Sequence, residues 1–223
     1  MQSRTISLLG EEKFNLIKNS TVAIIGVGGV GGYVVEFLAR AGVGNLVLVD
    51  FDKIDVSNLN RQIIALTSNV GAYKVDEFKK RINLISPSTR VTVHKERLTS
   101  ENVGKILGDR VDYVVDAIDD VKNKVELICY CKENDIPIIS SMGVGNRYKP
   151  CTYEVVDIFS TKEDKLAKVL RKRLKDRSVK SLDVVCSNSK TESVQDVIGS
   201  ISYLPPMASS VISCHVVNKL ING

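Results

Sequence analysis

The sequence predicts an α/β fold, in which a doubly wound, mostly parallel sheet of Rossmann type is followed by an irregular α+β C-terminal extension. Three observations support this. Residues 21–50 run in the order strand, glycine turn, helix, strand, acid, which is the order of a βαβ unit. Strand and helix patterns then alternate as far as residue 141, as they do in parallel sheets. From residue 146 onward the pattern is less regular.

The βαβ unit begins with an apolar run, 22–25, that leads into the glycine turn GVGGVG at 26–31. A helical pattern follows, and a second apolar run, 46–49, ends at Asp50. Glycines allow a phosphate to approach the backbone, and a helix N-terminus offers it free N–H groups and a favourable dipole. Asp50, at the carboxyl end of the second strand, is placed to accept hydrogen bonds from ribose hydroxyls. The unit therefore predicts nucleotide binding.

The remaining elements follow from hydrophobic periodicity and turn signals. We expect a helical lead-in within 1–20, helices at 71–85, 101–107 and 121–134, and strands at 91–93, 111–118, 136–141 and 152–158. Further on, we expect a helix within 162–180, strands at 182–186 and 198–203, and a final helix that follows Pro205-Pro206 and ends near Leu220. Val211, Ile212, Val216 and Val217 of this final helix offer apolar surface to a second copy of the chain, and the alternative is that they belong to the core.

Polar residues around the glycine turn favour ATP over NAD. They are Asp52, Ser57, Asn58, Asn60 and Arg61 in the loop after Asp50, Lys74 in the next helix, and Asp116 and Asp119 after a later strand. Cations and amides suit a triphosphate, and a carboxylate at a strand end suits its Mg²⁺. An enzyme that transfers hydride would need a nicotinamide pocket and usually a separate substrate domain. We therefore expect ATP and Mg²⁺ as cofactors.

Five short motifs occur in the order of a known superfamily. They are the glycine turn, the DFD acid pair at 50–52, SNLNRQ at 57–62, Gly71-x-x-Lys74 and Asp116-x-x-Asp119. The chain thereby resembles the ubiquitin-activating-type adenylating superfamily, which includes the sulfur-carrier adenylyltransferases. Segments 4–14, 60–66, 137–146 and 166–175 make it most similar to the tRNA threonylcarbamoyladenosine dehydratase branch.

The resemblance implies a role for individual residues of the first half of the chain. It places Gly28 and Gly29 against the nucleotide, Asp50 on the ribose, and Asn58 and Arg61 on phosphates. Lys74 would contact the reacting phosphate, and Asp119 would bind Mg²⁺. Asp52 and Asn60 belong to the same nucleotide-binding loop after Asp50. It also implies a homodimer in which Arg4 reaches the nucleotide of the partner subunit. The alternatives are a surface lysine at Lys74, a helix N-cap at Asp119 and a solvated arginine at Arg4.

The five cysteines form no Cys-x-x-Cys pair, so we expect free thiols, a cytoplasmic location and no zinc. Cys186 falls where some relatives carry a mobile-loop cysteine. This implies a catalytic or sulfur-relay role and leaves open a cysteine desulfurase or sulfur-acceptor partner. The alternative is a small buried residue. The apolar run at 207–217 is too short to span a bilayer, so no membrane association is expected.

Positive charge is concentrated in one segment. Residues 162–180 contain nine Lys or Arg and three acids, although the whole chain carries only +5. Within this segment we expect Arg171, Lys172, Arg173, Lys175 and Arg177 to bind tRNA phosphates. The alternative is a solvated helix face.

The function that the resemblance implies is ATP-dependent cyclisation of threonylcarbamoyladenosine beside the anticodon of tRNA, by adenylation of its carboxylate. The alternative is an adenylyltransferase for the Gly-Gly tail of a sulfur-carrier protein, and a nucleotide-binding sensor is the non-enzymatic possibility. We expect one adenylating domain over 1–223, with a lead-in (1–20), a nucleotide-binding core (21–145) and a substrate-side extension (146–223). Residues 186–200 are compact for a branch in which a longer loop often closes over the site.

Overall fold

A computed structural model describes residues 2–108, 110–149, 151–192 and 198–223 of the chain. The helices are α1 (Ser3–Leu9), α2 (Glu11–Asn19), α3 (Gly29–Ala41), α4 (Lys74–Ile85), α5 (Val103–Leu107), α6 (Val121–Glu133), α7 (Lys165–Asp176) and α8 (Leu204–Asn222). The strands are β1 (Thr21–Ile25), β2 (Asn45–Val49), β3 (Arg90–His94), β4 (Tyr113–Asp116), β5 (Ile138–Ser141), β6 (Tyr153–Asp157) and β7 (Asp183–Ser187).

Within the described residues, the strands form one seven-stranded sheet in the order β3-β2-β1-β4-β5-β7-β6. Neighbouring strands are parallel, except that β6 runs antiparallel to β7 at the edge. The strand order reverses between β1 and β4, and ligands of such sheets bind outside the carboxyl ends of the strands at this point. Gly26 follows β1 directly and Asp116 ends β4, so two of the sequence motifs meet at this crevice. The predicted fold class is confirmed.

Helices cover both faces of the sheet because successive side chains of a strand point to opposite faces. Val22 and Ile24 of β1 pack in a core with α3, α4 and α8. Ala23 and Ile25, which alternate with them, pack in a second core with α5, α6 and α7. A central strand is therefore buried on both sides, which explains why β1 is a continuous apolar run in the sequence.

The lead-in helices lie at the end of α3 that is farther from the crevice. Helix α3 starts beside the carboxyl end of β1 and has 13 residues, so its far end is about 20 Å away. Gly42 caps that end with φ of +103°, and a Cβ atom there would lie 2.6 Å from the ring of Phe14 in α2. The side chain of Gln2 is also in this contact region. Helices α1 and α2 are therefore distant from the glycine turn.

The predicted strand at 198–203 is wrong. The N–H of Gly199 donates to Asn146 Oδ1 at 2.7 Å, and its C=O accepts from the N–H of Asn146 at 2.8 Å. The backbone bonds of this segment therefore go to a loop, and Ile198 and Tyr203 are exposed instead of packing as alternating strand residues. Residues 193–197 of the 186–200 loop lie outside the described residues.

The final helix, α8, differs from the prediction in two ways. It begins at Leu204, so Pro205 and Pro206 lie in its first turn, where the missing N–H groups would have no helical partner in any case. Ile212 and Val216, which were expected to offer apolar surface to a second copy, are fully buried in the chain's own core. The dimer itself stays a prediction.

None of the helices in the described ranges combines the length and apolarity needed to cross a membrane.

Candidate active site

The glycines of the turn fall into two groups. Gly26 has φ of +85°, and a Cβ atom there would lie 2.7 Å from the carbonyl oxygen of Ala117. A Cβ atom on Gly31 would lie 1.8 Å from the carbonyl oxygen of Gly26. Packing therefore requires these two glycines. A Cβ atom on Gly28 or Gly29 would only reach ordinary van der Waals contact, at 3.7 Å from Gln62 and from Pro205 respectively. Packing therefore does not require glycine at these two positions, and the absence of a Cβ atom allows a phosphate to approach the start of α3.

Asp50 holds the turn in place. Its Oδ2 accepts from the N–H of Val27 at 2.8 Å, and its Oδ1 accepts from the N–H of Asp52 at 2.8 Å. Burial raises the pKa of the Asp50 carboxyl, and the charge of Lys74 opposes that rise. Asp50 thus joins the glycine turn to the loop after β2, a structural role that the sequence did not reveal.

Lys74 lies at the first position of α4, and its side chain is only 5% exposed. Its Nζ is 2.8 Å from Oδ2 of Asp52, whose side chain is 48% exposed. The backbone N–H of Lys74 also donates to the carbonyl of Asp52 at 3.1 Å. An ammonium group is therefore held in the crevice by a carboxylate that water can reach.

The loop at 57–62 is organised by its own side chains. Asn58 is buried, and its Oδ1 accepts from the N–H of Asp55 at 3.1 Å. Arg61 Nη1 donates to the carbonyl of Ser57 at 2.9 Å and to Asn60 Oδ1 at 3.0 Å. Asn60 Nδ2 donates to the carbonyl of Ser200 at 3.1 Å, which ties this loop to the segment before α8.

Gln62 was missed as a site residue. It is buried, and its Oε1 has no hydrogen-bond partner among the described residues. Its Nε2 would lie 3.7 Å from a Cβ atom on Gly28, so the amide lies beside the glycine turn. A buried amide oxygen without a partner is costly unless something else binds it. The signal was its position directly after Arg61 in the SNLNRQ motif.

The two aspartates after β4 have opposite environments. Asp116 is fully buried and pairs with Lys124 Nζ at 3.0 Å. Asp119 is exposed, and its carboxylate makes no hydrogen bond or ion pair with the residues that the structure describes. The N-cap of α6 is Asp120, which accepts from the N–H of Asn123 at 2.9 Å. Asp119 is therefore not the helix cap that the sequence left open as an alternative.

These residues fit a nucleotide with Mg²⁺. Asp119 offers one accessible carboxylate next to Ile118, which together with Ala117 packs against Gly26 of the turn. Mg²⁺ usually combines one or two carboxylates with substrate phosphates and water. Within the described ranges, no group of three or more His, Cys, Asp or Glu side chains could hold a metal by itself. The predicted absence of zinc stays a prediction.

The sequence profile of the ThiF family matches residues 2–222, a range that contains every residue of this crevice. The chain belongs to the ThiF family. The superfamily inferred from the five motifs is confirmed.

Within the ThiF family, several relatives are named tRNA threonylcarbamoyladenosine dehydratase. The tRNA threonylcarbamoyladenosine dehydratase of Bacillus subtilis (strain 168) is 38% identical over 238 residues, which cover 98% of this chain and 94% of the relative. The crystal structure of E. coli tRNA N6-threonylcarbamoyladenosine dehydratase with AMP is 36% identical, has a TM-score of 0.93, and covers 98% of this chain and 92% of that one. Its complex with ATP has a TM-score of 0.92, 34% identity and the same coverage.

Sulfur-carrier enzymes of the family are more distant. The sulfur carrier protein ThiS adenylyltransferase of E. coli (strain K12) is 35% identical over 140 residues, which cover 63% of this chain and 54% of the relative. The finer resemblance to the dehydratase branch is thus also confirmed.

Cys186 lies inside β7, not in a loop, and is buried. Burial raises the pKa of its thiol, as do the carboxylates of Asp164 and Glu154, while Arg147 opposes the rise. The thiolate is the nucleophilic form of cysteine. This environment therefore favours the alternative stated above, a small buried side chain.

Arg4 is exposed on α1, at the far end of α3. The distance of about 20 Å exceeds the reach of an arginine side chain. Arg4 therefore does not contact the glycine turn of its own chain, and a role at a nucleotide requires a second copy.

The five predicted tRNA contacts on and after α7 separate into two sets. Arg171 donates to the carbonyl of Thr161 at 2.8 Å and to its hydroxyl, and Arg177 pairs with Glu126 at 2.6 Å. Both guanidinium groups are thus engaged within the chain. The remaining three, Lys172, Arg173 and Lys175, are exposed.

Four exposed lysines lie along one side of α7, and we call them the lysine stripe: Lys165, Lys168, Lys172 and Lys175. Their spacing of i, i+3, i+7 and i+10 keeps them within about 80° of the helix circumference over about 15 Å. Two of them were not predicted. The stripe begins near the crevice. Asp164, the N-cap of α7, accepts from the N–H of Gly143, which lies two residues beyond the carboxyl end of β5.

Proposed function

We propose that this protein is an ATP-dependent tRNA threonylcarbamoyladenosine dehydratase. One observation carries the proposal: the glycine turn, the buried ammonium group of Lys74 and the exposed carboxylate of Asp119 lie at one crevice, in a chain that matches a dehydratase over 98% of its own length and 94% of the relative. In the reaction, a carboxylate oxygen of the threonylcarbamoyl group attacks the α-phosphorus of ATP and pyrophosphate leaves. The carbamoyl group then attacks the activated carbonyl carbon and gives up an N–H proton, while AMP departs with the former carboxylate oxygen, so that one water is lost overall.

The residues of the crevice mainly position the reactants and neutralise charge. The backbone at Gly28 and Gly29, where no Cβ atom intervenes, receives phosphate oxygens at the start of α3. Lys74 exchanges its half-exposed partner, Asp52, for the phosphate that carries the developing charge. Arg61 and Asn58 hold the other phosphates, and the unpaired Gln62 Oε1 accepts from a group of the bound nucleotide. Asp119 holds Mg²⁺, which neutralises phosphate charge when bound.

We propose that tRNA binds the lysine stripe together with Arg173, instead of all five residues expected from the sequence. A free ammonium group can contact a phosphate without first breaking a bond within the protein. Arg171 and Arg177 would have to give up Thr161 and Glu126. The stripe runs away from the crevice, so a tRNA lying on it can place one nucleotide over the carboxyl ends of β4 and β5.

We also propose a homodimer in which Arg4 reaches the nucleotide of the partner subunit. Support comes from the family resemblance and from the exposure of Arg4 at a distance from its own crevice. Mixing the Arg4→Ala and Lys74→Ala variants, each weak alone, tests this. After random exchange of subunits, about half of the dimers contain one subunit of each variant. Each mixed dimer has one intact site out of two, so the mixture should recover about a quarter of wild-type activity. No recovery after subunit exchange would contradict the arrangement.

Release of pyrophosphate from ATP tests the reaction. We expect release with tRNA that carries threonylcarbamoyladenosine and none with tRNA that lacks the modification. A sulfur-carrier protein ending in Gly-Gly is the comparison substrate. Pyrophosphate release with the carrier protein alone would assign the chain to the sulfur-carrier alternative.

A cysteine desulfurase or sulfur-acceptor partner and a cytoplasmic location stay predictions.

A further inference from the structure

Lys124 and Asp116 form an ion pair that is sealed from solvent. Both side chains are 0% exposed, and Nζ lies 3.0 Å from Oδ2. Ser140 on the neighbouring strand β5 donates to the same Oδ2 at 2.7 Å, which holds the carboxylate at the end of β4. Burying two charges costs more than burying apolar residues of similar volume unless other bonds compensate. The remaining contacts of the pair therefore need an explanation.

Those contacts converge on one residue, Ile118. Lys124 Nζ donates to the carbonyl of Ile118 at 3.0 Å, and the N–H of Ile118 donates to Asp116 Oδ1 at 3.1 Å. Both main-chain polar groups of Ile118 are thus held by the two members of the pair. An apolar residue at position 124 could fill the same space, but it could not bind this carbonyl.

The backbone on either side of Ile118 is also fixed. The N–H of Ala117 donates to the carbonyl of Ile25 at 2.8 Å, beside the glycine turn. Asp120 caps α6 through Asn123 and lies 3.6 Å from Arg97. Asp119 sits between these held residues, and its own side chain is exposed. The segment 117–120 therefore presents one free carboxylate on a restrained backbone.

We propose that Lys124 is a positioning residue: together with Asp116 it clamps Ile118 and so sets where the carboxylate of Asp119 stands in the crevice. The inference rests on the proposed function, in which Asp119 binds Mg²⁺ with ATP. Lys124 itself touches neither. Its effect passes through the backbone, in the way that outer-shell hydrogen bonds orient metal ligands.

The test is equilibrium binding of ATP to the full chain, measured by calorimetry with Mg²⁺ and again with EDTA. In the wild type, Mg²⁺ should strengthen ATP binding. In Lys124→Met, this gain should fall by about tenfold, the usual range for loss of an outer-shell partner. Binding in EDTA should change by less than about twofold, because Gly28, Gly29 and Lys74 remain. Backbone amide hydrogen exchange without ligand should speed up at 117–120.

The matched control is Lys122→Met, which removes an exposed lysine two residues away on the same helix and should change neither readout. The double variant Asp116→Asn, Lys124→Met removes both charges, and we call it the neutral pair. Because it leaves no buried charge unpaired, it should fold even if Lys124→Met alone folds poorly. Ser140→Ala is a milder weakening of the same clamp. Both should lose part of the Mg²⁺-dependent gain while staying folded.

The outcomes separate the two proposals. If wild-type binding of ATP gains nothing from Mg²⁺, the proposed metal role of Asp119 fails. If the wild type gains, Asp119→Ala loses the gain, and the folded neutral pair retains it, then Lys124 serves stability alone and the positioning role is overturned. A Mg²⁺-dependent loss in the neutral pair, with normal binding in EDTA, supports the positioning role.

Discussion

Two lysine–aspartate pairs lie at the carboxyl ends of β2 and β4, on either side of β1, and differ in the exposure of the carboxylate. Lys74 and Lys124 both have side chains almost or wholly removed from water, at 5% and 0% exposure. Their nitrogen–oxygen distances are similar, at 2.8 and 3.0 Å. The carboxylate of Asp52 is 48% exposed, however, whereas that of Asp116 is 0% exposed.

The exposure of the carboxylate decides whether a pair can be exchanged. If a phosphate displaces Asp52 from Lys74, water solvates the released carboxylate, so the exchange is cheap. Asp116 has no such access, and losing Lys124 would leave a buried charge without a partner. The loop after β2 therefore suits a changing contact with substrate, and the loop after β4 suits a permanent one. The lysine stripe on α7 adds a third kind of lysine, one that is exposed and ready for a partner.

Breaking the permanent pair should have the largest effect. We expect Lys124→Met to lower the free energy of unfolding by about 3–5 kcal/mol, because Asp116 is left buried without its counter-charge. Urea unfolding followed by circular dichroism measures this. The Asp116→Asn, Lys124→Met pair should recover a large part of the loss. A change below about 1 kcal/mol in the single variant would mean that the two pairs do not differ as proposed.

Removing the exchangeable lysine should affect turnover. We expect Lys74→Ala to reduce pyrophosphate release with modified tRNA by about 100- to 1000-fold, because its charge acts on the reacting phosphate. Lys79→Ala, an exposed lysine on the same helix α4, is the matched control and should be close to wild type. Equal rates in the Lys74 and Lys79 variants would remove Lys74 from the mechanism.

Reversing charge on the lysine stripe should affect tRNA and leave ATP unchanged. We expect Lys172→Glu with Lys175→Glu to raise the KM for tRNA by roughly tenfold or more and to weaken its dependence on salt. Binding of ATP should stay the same, since that crevice uses other elements. Lys13→Glu with Lys18→Glu changes the net charge equally on the distant helix α2. Similar tRNA defects in both double variants would indicate a general charge effect and return α7 to a solvated face.

The smallest effect should be the stability change on losing the exchangeable pair. Lys74→Met should lower the free energy of unfolding by only about 1 kcal/mol, because the half-exposed Asp52 becomes solvated. The buried Asp50, whose charge Lys74 also favours, keeps its two backbone N–H donors. The same urea unfolding experiment measures it. A loss as large as that of Lys124→Met would show that Asp52 depends on Lys74 more than its exposure implies.

The fold was largely predictable because its signals are local. Apolar runs flanked by turns identified the strands from β1 to β5, and the patterns at 152–158 and 182–186 identified β6 and β7. The glycine turn marked the start of α3. The strand expected at 198–203 failed because its apolar residues are few and its backbone bonds go to Asn146, more than 50 residues earlier in the chain. The apolar stripe of α8 was visible in the sequence, but periodicity does not say whether a stripe faces the chain's own core or a second copy.

The site was predictable as a set of residues and less so as an arrangement. Lys124 occurs with Leu127, Ile128 and Cys131 on the apolar face of α6, and a lysine in that pattern is the signal that was overlooked. Gln62 stood at the end of a motif without an assigned role. The five cations on and after α7 looked equivalent, although two of them are engaged by Thr161 and Glu126.

The sequence by itself determined the βαβ order, the ThiF-family motifs and the residue types that handle phosphate, because these depend on neighbours in the chain. The tertiary structure decided which charges are free. Asp52 meets Lys74 across 22 positions, Ser140 meets Asp116 across 24, and Arg177 meets Glu126 across 51. Whether a charge is exposed, exchangeable or sealed depends on such distant partners and on the water around them, and local periodicity contains neither.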